Sequence, residues 1–125
     1  MTSHAIERPS LGELETPALL LDRARMQSNI ERMQRHVSAL GCAFRPHVKT
    51  SKSVPVVRAQ LAAGAQAITV STLKEAEQFF DAGIRDILYA VALAPNKIAH
   101  AFALRARGCD LAVIVDSMPA AAAIV

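Results

Sequence analysis

Apolar runs alternate with helically spaced stretches along most of this chain. Over 23–40, apolar residues recur at intervals of three and four, which predicts a helix with one core-facing side. This side consists of Met26, Ile30, Met33, Val37 and Leu40. The runs between helices are continuous rather than alternating, which is typical of parallel strands covered on both faces. Five such runs are present, at residues 16–22, 42–48, 65–71, 85–93 and 110–116.

Capping residues and glycines mark the boundaries of the predicted helices. Asp22 is a suitable N-cap for the first helix, and Gly41 can end it because glycine readily adopts the left-handed conformation. Thr72 and Glu75 have the spacing of a capping box at the start of the third helix. The other boundaries are Ser53 and Gly64 for the second helix, Gly83 for the third, and Pro95 and Gly108 for the fourth.

Alternating strands and helices predict an α/β protein, built either as a doubly wound sheet or as an eight-stranded barrel. A G-x-G-x-x-G loop after the first strand would favour a dinucleotide-binding fold, and the sequence has none. A complete barrel needs about 250 residues, whereas this chain has 125. The sequence therefore predicts the N-terminal part, about five βα units, of a (βα)8 TIM-type barrel with parallel strands and outer helices.

This interpretation divides the chain into a polar N-terminal leader, residues 1–15, and an incomplete barrel domain, residues 16–125. Half of a barrel would leave open backbone groups on its first and fifth strands, and an apolar interior facing water. We therefore expect residues 1–125 alone to be neither a stable fold nor an active enzyme.

Composition narrows the functional classes. The net charge of +3 is small and dispersed, which argues against nucleic-acid binding. No apolar run approaches the roughly 20 residues that span a bilayer, and the N-terminus lacks the apolar core of a secretory signal. Cys42 and Cys109 form neither a disulfide framework nor a metal-ligand cluster. We expect a cytoplasmic protein that binds neither membranes nor nucleic acid.

The candidate chemistry lies in the segment FRPHVKTSKS, residues 44–53. If the second strand continues to Lys49, then Arg45, His47 and Lys49 share one face, and Lys49 points into the barrel mouth, where such folds place their chemistry. Desolvation and the positive charges of Arg45 and Lys52 would favour a neutral amine, which can attack a carbonyl. The same surroundings would accept a phosphate. We therefore predict Lys49 as the catalytic residue.

Other interpretations of these residues stay open. His47 is either a cofactor-lining residue or an ordinary core histidine, and Arg45 is expected to satisfy a buried charge network. A nucleic-acid module built on the basic residues of 45–52 would need interleaved aromatics, and only Phe44 is nearby. The remaining polar candidates are interpreted as loop or cap residues, with Tyr89 as a packing residue; they are Thr50, Ser51, Ser53, Ser71, Thr72 and Asp116.

Several segments between about Thr16 and Ser117 together resemble one family; they are TPALLLD, FRPHVKTSKS, AAGAQAITVSTLKEAEQFFDAGIRDILYA and VIVDS. They resemble the alanine-racemase-type (fold type III) pyridoxal-phosphate barrels, and within them the branch of D-threonine aldolases and eukaryotic-type D-serine dehydratases. In that branch the lysine that matches Lys49 in R-P-H-x-K-T forms a Schiff base with the cofactor. The branch commonly has T-H-K after this lysine, whereas Ser51 stands here in place of the histidine.

The resemblance implies a pyridoxal-phosphate-dependent lyase that acts on a small-molecule D-amino-acid substrate, as a D-threonine aldolase or a D-serine dehydratase does. The alternatives are an amino-acid racemase of the alanine racemase type and a non-catalytic pyridoxal-phosphate-binding homeostasis protein. A homodimer is implied for the full-length protein. The branch usually employs a divalent metal near the substrate hydroxyl, whose ligands are expected C-terminal to this chain, so the resemblance names none here.

Overall fold

The computed structural model describes residues 10–125, so residues 1–9 of the predicted leader lie outside it. The described helices are α1 (Arg23–Ala39), α2 (Val54–Ala62), α3 (Leu73–Asp81), α4 (Ile98–Ala106) and α5 (Met118–Ala122). The strands are β1 (Ile68–Val70), β2 (Asp86–Ala92) and β3 (Asp110–Ile114), and short 3-10 helices occupy Leu11–Glu13 and Pro95–Lys97. In the described part of the chain, no helix has the length and apolarity needed to cross a membrane.

The three strands form one parallel sheet in the order β1-β2-β3. Ile68 pairs with Ile87 of β2, which in turn pairs with Leu111 of β3. Because α3 and α4 connect consecutive parallel strands, the sheet consists of βα crossovers. The predicted α/β architecture with parallel strands is therefore confirmed.

The second predicted strand is reduced to a single parallel bridge between His47 and Thr69. The Thr69 N–H donates to the Pro46 carbonyl at 2.8 Å, and the Val48 N–H donates to the Thr69 carbonyl at 2.9 Å. The segment around the bridge therefore lies along the free edge of β1. It carries the residues before Lys49 to the carboxyl end of the sheet.

One face of the sheet packs on the helices. Ile68, Val70, Ile87 and Tyr89 alternate with less buried neighbours and are fully buried, as expected for strand side chains that point to one side. They pack in one apolar cluster with residues of α3 and α4, namely Leu73, Ala76, Phe79, Ala101 and Leu104. This cluster fixes the sheet against the two helices and thereby holds the strand ends in place.

The first predicted strand, residues 16–22, does not form. Leu19 is fully exposed, and Leu20 and Leu21 are 61% and 59% exposed. A strand needs a neighbour to satisfy its backbone groups, and no other described segment pairs with this one. Of the five predicted strands, three are therefore observed, one is a bridge, and one is an extended apolar segment.

Helix α1 has its predicted boundaries, but part of its predicted core-facing side is exposed. Asp22 caps it through a 2.9 Å hydrogen bond from the Arg25 N–H to Oδ1. Met33, predicted to be a core residue, is 49% exposed. Gln34 faces α2 instead, because Gly64 has no side chain there; the Gln34 Cδ lies 3.2 Å from where a Cβ of Gly64 would be. Leu40, also predicted to face the core, is 65% exposed, and no residue of α1 is fully buried.

Candidate active site

Lys49 lies two residues beyond the His47–Thr69 bridge, at the carboxyl end of the sheet. Its side chain is exposed, whereas Val48 before it is 1% exposed and belongs to the core. Lys49 itself lies in a turn rather than on a strand, so the strand face predicted for Arg45, His47 and Lys49 does not extend to Lys49, and its place at the barrel mouth stays a prediction. Within residues 10–125, no carboxylate oxygen lies within 4.0 Å of the Lys49 ammonium.

His47 connects the backbone of Lys49 to the end of β1. Its Nδ1 accepts the Lys49 N–H at 3.4 Å, and its Nε2 lies 3.4 Å from Ser71 Oγ. A neutral imidazole that accepts at Nδ1 carries its proton on Nε2, so Nε2–H donates to the serine hydroxyl. The ring is exposed and held at both nitrogens beside Lys49. This contact pattern differs from that of a core histidine.

Lys52 has a carboxylate partner that the sequence did not reveal. Its Nζ lies 3.1 Å from Oε1 of Glu75, whose side chain is 6% exposed. Burial raises the pKa of Glu75, but the hydrogen bonds from the Ser71 N–H and from Lys52 outweigh burial and hold this pKa below its ordinary value. Thr72 Oγ1 accepts the Glu75 N–H at 3.0 Å, as in the predicted capping box, but the Glu75 carboxylate accepts the Ser71 N–H at 2.9 Å, and the Thr72 backbone contributes less to lowering its pKa.

Arg45 forms an ion pair with Asp86, with 2.6 Å between Nη1 and Oδ1. The two side chains are 35% and 44% exposed, so the predicted charge network exists but is half-buried. The expectation that Lys49 is partly desolvated and surrounded by positive charge is therefore wrong, because its side chain is exposed and Arg45 and Lys52 each pair with a carboxylate. Of the three basic side chains in residues 45–52, Lys49 alone has none in the described structure.

The other strand ends contribute further polar groups. Lys97 follows β2, and its Nζ donates to the Tyr89 hydroxyl at 3.1 Å, so the buried Tyr89 packs as predicted. Asp116 follows β3 but does not cap the next helix, because Ser117 Oγ accepts the Ala120 N–H at 3.3 Å instead. The cap predicted at Asp116 is therefore wrong by one residue.

An open groove lies beside Lys49, between its loop and α1. His47, Thr50 and Ser51 line it together with residues 20–22, residues of α1, and Val56 and Gln60 of α2, whereas Lys49 lies next to the groove and does not line it. An exposed amine without a carboxylate partner, next to hydroxyl donors, suits the aldehyde and phosphate groups of pyridoxal phosphate. In the described residues no group of three His, Cys, Asp or Glu side chains is placed to hold a metal ion.

Comparisons with known proteins show which family the chain resembles. The family model described as "Alanine racemase, N-terminal domain" matches residues 21–125. The D-threo-3-hydroxyaspartate dehydratase of Delftia sp. (strain HT23) is 65% identical over 111 residues, which are 89% of this chain and 29% of that protein. The D-threonine aldolase of Arthrobacter sp. is 36% identical over 108 residues, which are 86% of this chain and 28% of that protein.

Solved structures show the same similarity. A D-threo-3-hydroxyaspartate dehydratase variant in the metal-free form is 62% identical, with a TM-score of 0.92 over 94% of this chain and 31% of that chain. The chain thus spans less than a third of the length of the relatives it matches.

Proposed function

The chain belongs to the alanine racemase N-terminal domain family, and on this basis we propose that it is part of a pyridoxal-phosphate-dependent lyase acting on a D-configured 3-hydroxy amino acid. Membership confirms the resemblance predicted from the sequence, together with the α/β barrel class, and implies pyridoxal phosphate as cofactor. The observation that carries the proposal is the 65% identity to a D-threo-3-hydroxyaspartate dehydratase over 111 residues. A small-molecule amino acid is the corresponding class of substrate.

Within this proposal Lys49 holds the cofactor through its ε-amino group. Its exposure and its lack of a described carboxylate partner support this role, because an ion-paired lysine would have to break the pair before reacting. His47 lines the cofactor site and fixes the backbone of Lys49 through Nδ1. Thr50 and Ser51 offer hydroxyl donors to an anionic group. Pyridoxal phosphate, when bound, supplies a conjugated ring that withdraws electrons from the substrate α-carbon.

The proposed reaction is dehydration. The substrate loses the proton from its α-carbon and the hydroxyl from its β-carbon as water, and hydrolysis of the product then releases a 2-oxo acid and ammonia. A divalent metal that polarises the substrate hydroxyl is part of the proposal. It is supported by the relative whose solved structure is described as a metal-free form. We expect the ligands of this metal to lie outside residues 10–125.

A second candidate reaction is aldol cleavage between the α- and β-carbons, which the 36% identity to a D-threonine aldolase favours. An amino-acid racemase and a non-catalytic cofactor-binding protein are the further alternatives. We also propose a homodimer for the whole protein and a cytoplasmic location. The free thiols of Cys42 and Cys109 support a reducing compartment.

The test is a substrate screen with the full-length protein loaded with pyridoxal phosphate. Both enantiomers of threo-3-hydroxyaspartate, serine and threonine are supplied, and 2-oxo acid, ammonia, glycine, aldehyde and racemised amino acid are measured. We expect 2-oxo acid and ammonia in equal amounts from a D-enantiomer. Glycine with aldehyde would establish the aldolase instead, and racemisation alone would overturn the lyase assignment. The Lys49→Met variant is the control for reaction at another site.

A further inference from the structure

The loop after Lys49 contains a backbone conformation that calls for a physical reason. Lys52 has φ +45°, and it is the one non-glycine residue with positive φ in the described chain. Glycine adopts this region freely, whereas a residue with a Cβ is strained there. The strained lysine is held by its side chain, whose ammonium lies 3.1 Å from the buried Glu75 carboxylate, and by its N–H, which donates to the Val48 carbonyl at 3.0 Å.

Glu75 also holds the end of the neighbouring strand. Its Oε2 accepts the Ser71 N–H at 2.9 Å, and Ser71 Oγ in turn contacts His47 Nε2 at 3.4 Å. The imidazole completes the chain of contacts by accepting the Lys49 N–H at Nδ1. The two oxygens of one carboxylate therefore reach both sides of Lys49: the loop that follows it, and the histidine that precedes it.

A plain helix-capping role does not explain this geometry. In a capping box the third helical residue accepts the N–H of the N-cap itself. Here the N-cap is Thr72, and its backbone contributes least to the lowered pKa of Glu75, whereas the carboxylate accepts the Ser71 N–H and pairs with Lys52, which lies 23 residues earlier in the chain. Because a buried carboxylate without partners is costly, these contacts are what allow Glu75 to stay buried and charged.

Building on the proposed function, we propose that Glu75 is a positioning residue for Lys49. It clamps Lys52 and Ser71, and it thereby fixes the backbone of residues 47–52, which holds the exposed Lys49 side chain next to the groove lined by His47, Thr50 and Ser51. No contact between Glu75 and the reacting atoms is required. Its effect on the cofactor is transmitted through the loop.

The first test needs no cofactor and no activity. Amide hydrogen exchange of residues 47–53 is measured in cofactor-free full-length protein, for the wild type and for Glu75→Gln. The amide side chain removes the charge but nearly keeps the shape, and we expect exchange in this segment to accelerate about tenfold or more, since hydrogen bonds to charged groups are among the stronger ones. Glu77→Gln is the matched control, because Glu77 forms an exposed pair with Lys74 on the same helix. Unchanged exchange in Glu75→Gln would overturn the proposal.

The second test concerns the cofactor. The dissociation constant of pyridoxal phosphate and the absorption spectrum of the bound form are measured for Glu75→Gln, Glu75→Asp, Lys52→Met and Lys52→Gly. We expect the dissociation constant to increase about tenfold for Glu75→Gln. It should recover partly in Glu75→Asp, because the charge is retained. Lys52→Met removes the ammonium alone, so comparing it with Lys52→Gly, which also relieves the backbone strain, separates the two contributions. If Lys52→Met binds the cofactor as tightly as the wild type, the clamp has no role.

A core variant distinguishes positioning from general destabilisation. Ile87 is fully buried, and Ile87→Val lowers stability without touching the loop. If it weakens cofactor binding as much as Glu75→Gln does, the effect is structural and the proposal fails.

Reduction with borohydride locates the pyridoxyl group in the wild type. Absence of this group from Lys49 would overturn the proposed function. The hydrogen-exchange experiment tests separately whether Glu75 holds the backbone of residues 47–52.

Discussion

Lys49 and Lys52 lie in the same short loop, yet their side chains have opposite surroundings. The Lys52 ammonium is paired with the buried carboxylate of Glu75 at 3.1 Å. Lys49 is exposed and has no carboxylate within 4.0 Å among the residues that the structure covers. One lysine therefore has the environment of a structural residue, and the other has that of an amine available for covalent chemistry.

This comparison shows that the local density of basic residues is a poor guide to their roles. Three basic side chains occur between residues 45 and 52, and two of them are balanced by carboxylates from α3 and from the start of β2. The carboxylates hold the loop and the sheet edge, and within residues 10–125 none of them pairs with the third side chain. The predictions below test this division of roles.

The largest effect is expected at Lys49. Lys49→Met should abolish covalent attachment of the cofactor and lower kcat by at least about 10³-fold, as removal of a covalent catalyst does. The thermal midpoint of the cofactor-free protein should stay unchanged, because the side chain is exposed and unpaired. Activity assays and thermal unfolding measure the two quantities. A variant that retains its activity would remove Lys49 from the mechanism.

The next effect is expected at Glu75. Glu75→Gln should lower the free energy of unfolding by about 2 kcal/mol, because the buried carboxylate loses charge-assisted hydrogen bonds from Ser71 and Lys52. Most of this loss should come from the buried Ser71 contact, since the Lys52 side chain is 63% exposed and its pair is weakened by solvent. Urea unfolding of the full-length protein measures it. A change near zero would show that the network contributes nothing to stability.

The contribution of Glu75 should depend on pH. Its pKa in the folded protein lies below its ordinary value of 4.5. Stabilisation is therefore fully present above pH 4.5 and is lost as the pH falls through the lower pKa of the folded state. The stability difference between the wild type and Glu75→Gln should shrink below pH 4.5 in urea unfolding experiments. A difference that grows in acid would mean that the sign of this pKa shift is wrong.

The smallest effect is expected for the other lysine–glutamate pair of α3. Lys74 and Glu77 lie 2.7 Å apart, but the Lys74 side chain is 71% exposed. Solvent-exposed pairs contribute little to stability. Lys74→Met should therefore change neither the unfolding midpoint nor cofactor binding. A marked fall in the unfolding midpoint or in the affinity for the cofactor would contradict the distinction between a pair with a buried partner and an exposed pair.

Local signals predicted much of this structure from the sequence. Asp22 and Thr72 cap their helices as predicted, and Gly41, Gly64, Gly83 and Gly108 all have positive φ just after helices. The site at Lys49 rests on its place after an apolar run and on the resemblance carried by its motif, and it stays a prediction. These features depend on neighbours in the sequence, which is why they could be identified.

The features that failed depend on distant contacts. The run at 16–22 has the composition of a strand, but a strand forms only beside a partner. Glu75 was interpreted as part of a capping box, and neither its spacing nor its type indicates that it meets Lys52 across 23 residues. The signals present were weak ones: a lysine in a loop, and a glutamate in the first turn of the helix that follows β1.

The most direct test of the central claim is to locate the cofactor. The full-length protein is incubated with pyridoxal phosphate, reduced with borohydride, digested, and analysed by mass spectrometry of its peptides. The chain contains four lysines, Lys49, Lys52, Lys74 and Lys97, so a unique assignment is feasible. We predict the pyridoxyl group on Lys49 alone. Its presence on Lys52, or its absence from every one of these lysines, would contradict the division of roles between Lys49 and Lys52.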